Sequence, residues 1–189
     1  LGLSSASRQG ALGDFNADGL TDLLSWDGEE LHVYALNGDG VFVSWGSGLA
    51  LEECVGLQAM PIRAEGEGAC LVSTTTWPVL VHFENPATWK KIVPQKTEGE
   101  FPGADLKQVY ACVVGDFDGD NMVDAVQPFR AGSLFYKGTR DGRLAPPTKQ
   151  TGLFGGFGQM QPNVCDMDGD GMLDILLAGK AGLALWRNT

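Results

Sequence analysis

A short acidic motif occurs three times in this chain, and its spacing constrains the architecture more than any other feature. The copies are GDFNADGLTDLL (13–24), GDFDGDNMVDAV (115–126) and CDMDGDGMLDILL (165–177). Their first aspartates, Asp14, Asp116 and Asp166, are separated by steps of 102 and 50 residues. The larger step is about twice the smaller, which predicts a further copy near residue 65. RAEGEGACLV (63–72) stands there, with Glu65 and Glu67 but no aspartate series. It is expected to be a repeat that kept its strands and lost its loop. A second marker keeps the same register, because Asp39 of Asn37-Gly38-Asp39-Gly40 and Asp141 of Thr139-Arg140-Asp141-Gly142 are also 102 residues apart.

Units of about 50 residues are the size of propeller blades. The local patterning agrees. Twenty-seven Gly and nine Pro imply many turns, and LHVYAL, GVFVSW, VLVHF, VYACVV, SLFYK and LALWR read as short strands between them. The expected fold is all-β, a propeller-type array of four blades with the second degenerate. Approximate blade limits are 1–49, 50–100, 101–152 and 153–189, forming one propeller domain or part of one. The fourth unit ends after its third strand, so the array is either a small closed ring or a piece of one with seven or eight blades. Missing blades would then come from flanking sequence or another subunit.

The loop chemistry follows from positions 1, 3, 5 and 9 of each copy. These are Asp14, Asn16, Asp18 and Asp22; Asp116, Asp118, Asp120 and Asp124; and Asp166, Asp168, Asp170 and Asp174. Four crowded oxygen side chains repel one another unless a cation lies between them. Ca²⁺, which takes six to eight oxygens in irregular geometry, meets that demand better than Mg²⁺. Position 6 requires a tight turn, which suits Gly19 and Gly171, with Asn121 the next best residue. An EF-hand would need a bidentate Glu at position 12, where Ser25, Gln127 and Leu177 stand. The glycine-rich nonapeptides of a calcium-binding β-roll are missing too. Three bound Ca²⁺ would move the formal charge from −11 to −5.

The pattern apolar–Gly–Asp–apolar–(Asn/Asp)–x–Asp–(Gly/Asn)–x–x–Asp resembles the FG-GAP/VCBS repeat of integrin α-subunit propellers and many bacterial surface proteins. Phe157-Gly158, ahead of the third copy, is similar to the pair that opens such repeats. The resemblance implies three Ca²⁺ sites, with main-chain oxygens of Leu20, Met122 and Met172 joining the twelve side chains. It also implies an extracellular or cell-surface setting (a periplasmic one is compatible), and more often seven blades than four.

Other chemistries find little support. A net charge of −11 disfavours nucleic acid, which needs clustered Lys and Arg. No apolar run is long enough for a membrane-spanning helix. The two histidines, His32 and His82, lie in strand-like runs with no nucleophile motif nearby. Cys54, Cys70, Cys112 and Cys165 show no zinc spacing and leave three disulfide pairings open. Trp26, Trp45, Trp77, Trp89 and Trp186 read as core filling before sugar platforms. The expectation is a calcium-stabilised, non-enzymatic module that recognises protein or glycan through blade-end loops. A polysaccharide-active enzyme, or the accessory propeller of one, is the alternative.

Overall fold

The structure, a computed structural model, describes residues 8–60, 68–74, 78–85, 88–92, 110–129, 132–150, 160–179 and 182–188. Among the described residues sixteen strands form four small antiparallel sheets, and there is no helix. The first sheet runs β1 (Gln9–Gly13), β2 (Asp22–Trp26), β3 (Glu30–Leu36) and β4 (Phe42–Ser44), with β5 (Leu49–Ala50) pairing further along β3. The second is β6 (Gly56–Met60), β7 (Gly68–Ser73), β8 (Val79–Asn85) and β9 (Thr88–Ile92). The third is β10 (Val113–Gly115), β11 (Asp124–Phe129), β12 (Gly132–Tyr136) and β13 (Thr148–Gln150). The fourth holds three strands, β14 (Met160–Cys165), β15 (Asp174–Gly179) and β16 (Gly182–Trp186).

Each sheet is a meander in which successive strands pair, β5 apart, which returns to pair with β3; short turns rich in Gly and Asp permit this. Alternation sets which face is buried. Along β3, Leu31, Val33 and Ala35 point inward while Glu30, His32 and Tyr34 point outward. In contrast, β7 and β11 are buried at every residue, polar Ser73, Asp124 and Gln127 included, so the two-residue alternation is lost there. The degenerate repeat packs as expected, with Leu71, Val72, Leu80 and Phe83 all buried. Glu65, Glu67, Phe157 and Gly158 lie outside the described residues, as do Trp77 and residues 1–5.

The sheets group into two compact units, the first two sheets in one and the last two in the other. In the first unit Phe15, Leu24, Trp26, Leu31 and Val33 share a core with Leu57, Val72, Val81 and Phe83. Trp26 also donates its indole N–H to the Leu51 carbonyl at 2.9 Å, so its one polar atom is satisfied inside. In the second unit Val113, Phe117, Val126, Ile175 and Leu177 do the same, with Trp186 packed against them.

In both units the first strands of the two sheets lie beside one another, β1 with β6 and β10 with β14. At Gly13 the missing side chain makes that approach possible, and at Gly115 it makes room for Leu173 from the acidic loop of the neighbouring sheet. A Cβ on Gly13 would stand 2.7 Å from the Ala59 Cβ, and one on Gly115 would stand 2.6 Å from a Leu173 methyl. All four cysteines are free thiols, and burial pushes the Cys54 thiol up to about 11.

Candidate functional site

The three acidic motifs occupy one equivalent place, the turn that joins the first two strands of a sheet. Asp14 to Thr21 connect β1 to β2, Asp116 to Val123 connect β10 to β11, and Asp166 to Leu173 connect β14 to β15. The chain folds there by turning its own backbone N–H groups onto the aspartates. Asp116 accepts from Gly119 and Asp120 on one oxygen and from Asn121 on the other, at 2.8–3.1 Å. Asp166 accepts from Gly169 at 2.7 Å and Gly171 at 3.0 Å, and Asp14 from Asp18 at 3.2 Å and Gly19 at 2.8 Å. The fifth position repeats the device on the seventh: the N–H groups of Leu20, Met122 and Met172 each donate to Asp18, Asp120 or Asp170 at 2.8 Å.

Such tight winding needs left-handed backbone. Position 6 has it as expected, with φ of 84° at Gly19, 64° at Asn121 and 89° at Gly171. Position 4 has it as well, which sequence reading missed: φ is 75° at Gly119 and 79° at Gly169, but also 60° at Ala17. Two of the three copies carry glycine there, and that was the available signal.

The ninth position differs from the rest. Asp22, Asp124 and Asp174 are completely buried, each as the first residue of its strand. One oxygen accepts from the residue after the first aspartate (Phe15, Phe117 or Met167), at 2.9 Å in all three copies. The other accepts from the end of the third strand or just past it: Leu36 at 2.9 Å, Gly138 at 2.7 Å and Asn188 at 2.9 Å. These carboxylates therefore staple three strands of their sheet through its main chain, a role the sequence did not reveal. Burial pushes Asp22 and Asp124 above the usual carboxylate range, against the lowering by those N–H donors.

The outer positions carry the exposed charge. In the second copy Lys137 reaches Asp118, and its Nζ lies 3.1 Å from Asp120. In the third, Arg187 pairs with Asp168, its Nε at 2.9 Å. Among the described residues the first copy has no such cation; the Asn16 side-chain amide donates to Asp18 at 2.9 Å instead. Asp168 is held below its ordinary value chiefly by Arg187, and Asp120 by the Met122 N–H and then by Lys137.

As a donor set, one carboxylate oxygen each from Asp116, Asp118 and Asp124 lie within 4.8 Å of one another, and likewise from Asp166, Asp168 and Asp174. These are two hard, all-oxygen acidic triads of the kind that holds a divalent cation. The first copy yields no such triad among the described residues, since the neutral Asn16 stands where an aspartate stands in the other two. Asp14, Asn16, Asp18 and Asp22 are nonetheless gathered in one turn by the bonds above. His32 lies on the outer face of β3 near Asp27 (3.4 Å) and Glu30 (3.7 Å), and His82 is buried in β8.

The chain is thus an all-β protein of small antiparallel sheets, with an equivalent acidic turn in three of them. Among solved structures it is similar to one that reports specific recognition of non-reducing terminal N-acetylglucosamine by an Agrocybe aegerita lectin. The TM-score is 0.66 and the identity 18%, over 98% of this chain and 50% of that one. The chain therefore spans half the length of the lectin it matches. A match to the Photorhabdus luminescens Tc holotoxin pore has a TM-score of 0.41 at 15% identity, over 98% of this chain and 12% of that one. No family model and no curated protein matches the chain.

Proposed function

We propose that this chain is a glycan-binding module whose sheets are propeller-type blades stabilised by Ca²⁺ in their first turns. The observation that carries the glycan reading is the shared fold with a lectin over 98% of the chain. Support for blades comes from within each unit, where first strands pair off side by side and every sheet is a meander. On β16, Leu183 and Leu185 are 74% and 44% exposed, an apolar row that a soluble protein covers. Further blades, from flanking sequence or another subunit, are the natural cover.

Asp116, Asp118, Asp120 and Asp124, and Asp166, Asp168, Asp170 and Asp174, would hold the ions of the second and third repeats. Asp14, Asn16, Asp18 and Asp22 would form a less charged site in the first. Main-chain oxygens of Leu20, Met122 and Met172 would complete the sets, as the FG-GAP/VCBS resemblance implies. The ion supplies compact positive charge that fixes the turns; ligand recognition belongs to the loops around them. Weak sites of this kind suit the millimolar Ca²⁺ of an extracellular or cell-surface location.

A glycan array containing terminal N-acetylglucosamine, probed in 2 mM CaCl₂ and in EDTA, tests the reading. Calcium-dependent binding to a defined set of glycans is the expected result. Absence of binding to every glycan in calcium would overturn the module's assignment. Equal melting temperatures in calcium and EDTA would overturn the metal.

A further inference from the structure

The three turns reach the same net charge by two different routes. The second and third hold four aspartates each, and each has one cation, Lys137 or Arg187, on those carboxylates. Four negative charges less one leave three. The first turn has three aspartates and, among the described residues, no cation on them.

The correspondence is positional. Asp22, Asp124 and Asp174 mark equivalent residues by bonding the N–H groups of Leu36, Gly138 and Asn188. The residues just before these are Ala35, Lys137 and Arg187. Each stands 19 residues after the third position of its own loop, Asn16, Asp118 or Asp168. Where the loop position is Asp, the residue at the end of the third strand or just past it is Lys or Arg; where it is Asn, that residue is Ala. In the first turn the Asn16 amide donates to the Asp18 oxygen equivalent to the one that Lys137 approaches on Asp120. An uncharged donor and a charged one thus serve the same acceptor.

We infer that Lys137 and Arg187 are displaceable built-in counter-ions, which neutralise the second and third acidic turns without metal and compete with a divalent cation for Asp118 and Asp168. The inference rests on the metal reading above for its competition, and on the ion pairs alone for its neutralisation. A metal entering the second turn needs Asp118 and Asp120 oxygens that Lys137 now engages. The Lys137 side chain is 51% exposed and that of Arg187 57%, so both can swing into solvent without opening the core. Their effect is to raise the calcium concentration at which these two turns fill, and to keep them folded below it.

Calorimetric titration of CaCl₂ into the EDTA-treated, dialysed full chain tests the competition, with Lys137→Met and Arg187→Met as variants. Each should tighten one binding step, roughly threefold to tenfold at low salt, and the gain should shrink at 0.5 M NaCl. Unchanged or weaker affinity in both variants would overturn the competition. A wild-type chain that takes up no calcium would overturn it too, together with the metal reading. The neutralisation is read separately by melts in EDTA. There Lys137→Met should lower the midpoint by a few degrees, and adding Asp118→Asn should recover most of that loss. Independent, additive shifts of the two substitutions would overturn the counter-ion role whatever calcium does.

Discussion

Asp124→Asn separates the two roles that carboxylates play in these turns. The substitution keeps the shape of the side chain but turns one oxygen into an amide N–H₂. Asp124 now serves the Phe117 N–H at 2.9 Å and the Gly138 N–H at 2.7 Å, fully buried. After the change one of these donors faces another donor. A hydrogen bond to a charged acceptor contributes about 1.5–3 kcal/mol, and an orphaned buried N–H costs about 1–3 kcal/mol more. Part of this is offset, because burial already disfavours the ionised Asp124, as its raised pKa shows, and the amide escapes that cost. A net loss of about 2–3 kcal/mol is expected, or roughly 5–10 °C in melting temperature for a chain of this size. Asp120→Asn is the control. Its Oδ1 still accepts from Met122, and the lost partner is the exposed Lys137, a pair worth at most about 1 kcal/mol. Urea unfolding in EDTA, followed by circular dichroism and tryptophan fluorescence, should therefore rank Asp124→Asn well below Asp120→Asn. Equal stabilities, or the reverse order, would refute the staple.

Three further outcomes are expected. Ala17→Gly should raise stability by about 0.5–1 kcal/mol in urea titration, because Ala17 sits at φ 60° where the other copies have glycine; a loss would contradict the strain. Gly68→Ala should cost about 3 kcal/mol or more, since its Cβ would stand 2.3 Å from the Phe15 carbonyl oxygen and only a backbone shift relieves that; a neutral result in the same titration would refute the packing. Asp27 is held below its ordinary value chiefly by the N–H groups of Glu30 and Glu29, so its contribution is present above about pH 4 and disappears as pH falls through the lowered value. Asp27→Asn should accordingly destabilise the protein more at pH 6 than at pH 3, and an equal penalty at both would count against this.

The repeated motif was enough to place the acidic turns, because three copies in one register call for three equivalent connections between strands. Several strand positions followed from alternation, as VLVHF and SLFYK did for β8 and β12. The staple was hidden for a physical reason. An exposed loop carboxylate and a buried one that ties strands together look alike in sequence, and only burial tells Asp22 from Asp18. Lys137 and Arg187 were missed because they lie outside the motif, just past the third strand of their sheets. Their common 19-residue offset from Asp118 and Asp168 was the signal, and it gains meaning only when the turns are superposed.

The staple also measures length. From Asp22 to Leu36, Asp124 to Gly138 and Asp174 to Asn188 the separation is 14 residues in every copy, although the sequences between have little in common. One residue more or less in that span would carry the receiving N–H away from the carboxylate and flip every side chain of the following strand to its opposite face. Insertions and deletions should therefore be purged between these points and tolerated after the third strand, where the connections Asn37–Val41 and Gly138–Leu144 are bridged by their own turn bonds. A tag, label or grafted peptide belongs in the second kind of place, and natural length variation among chains built this way should be found there.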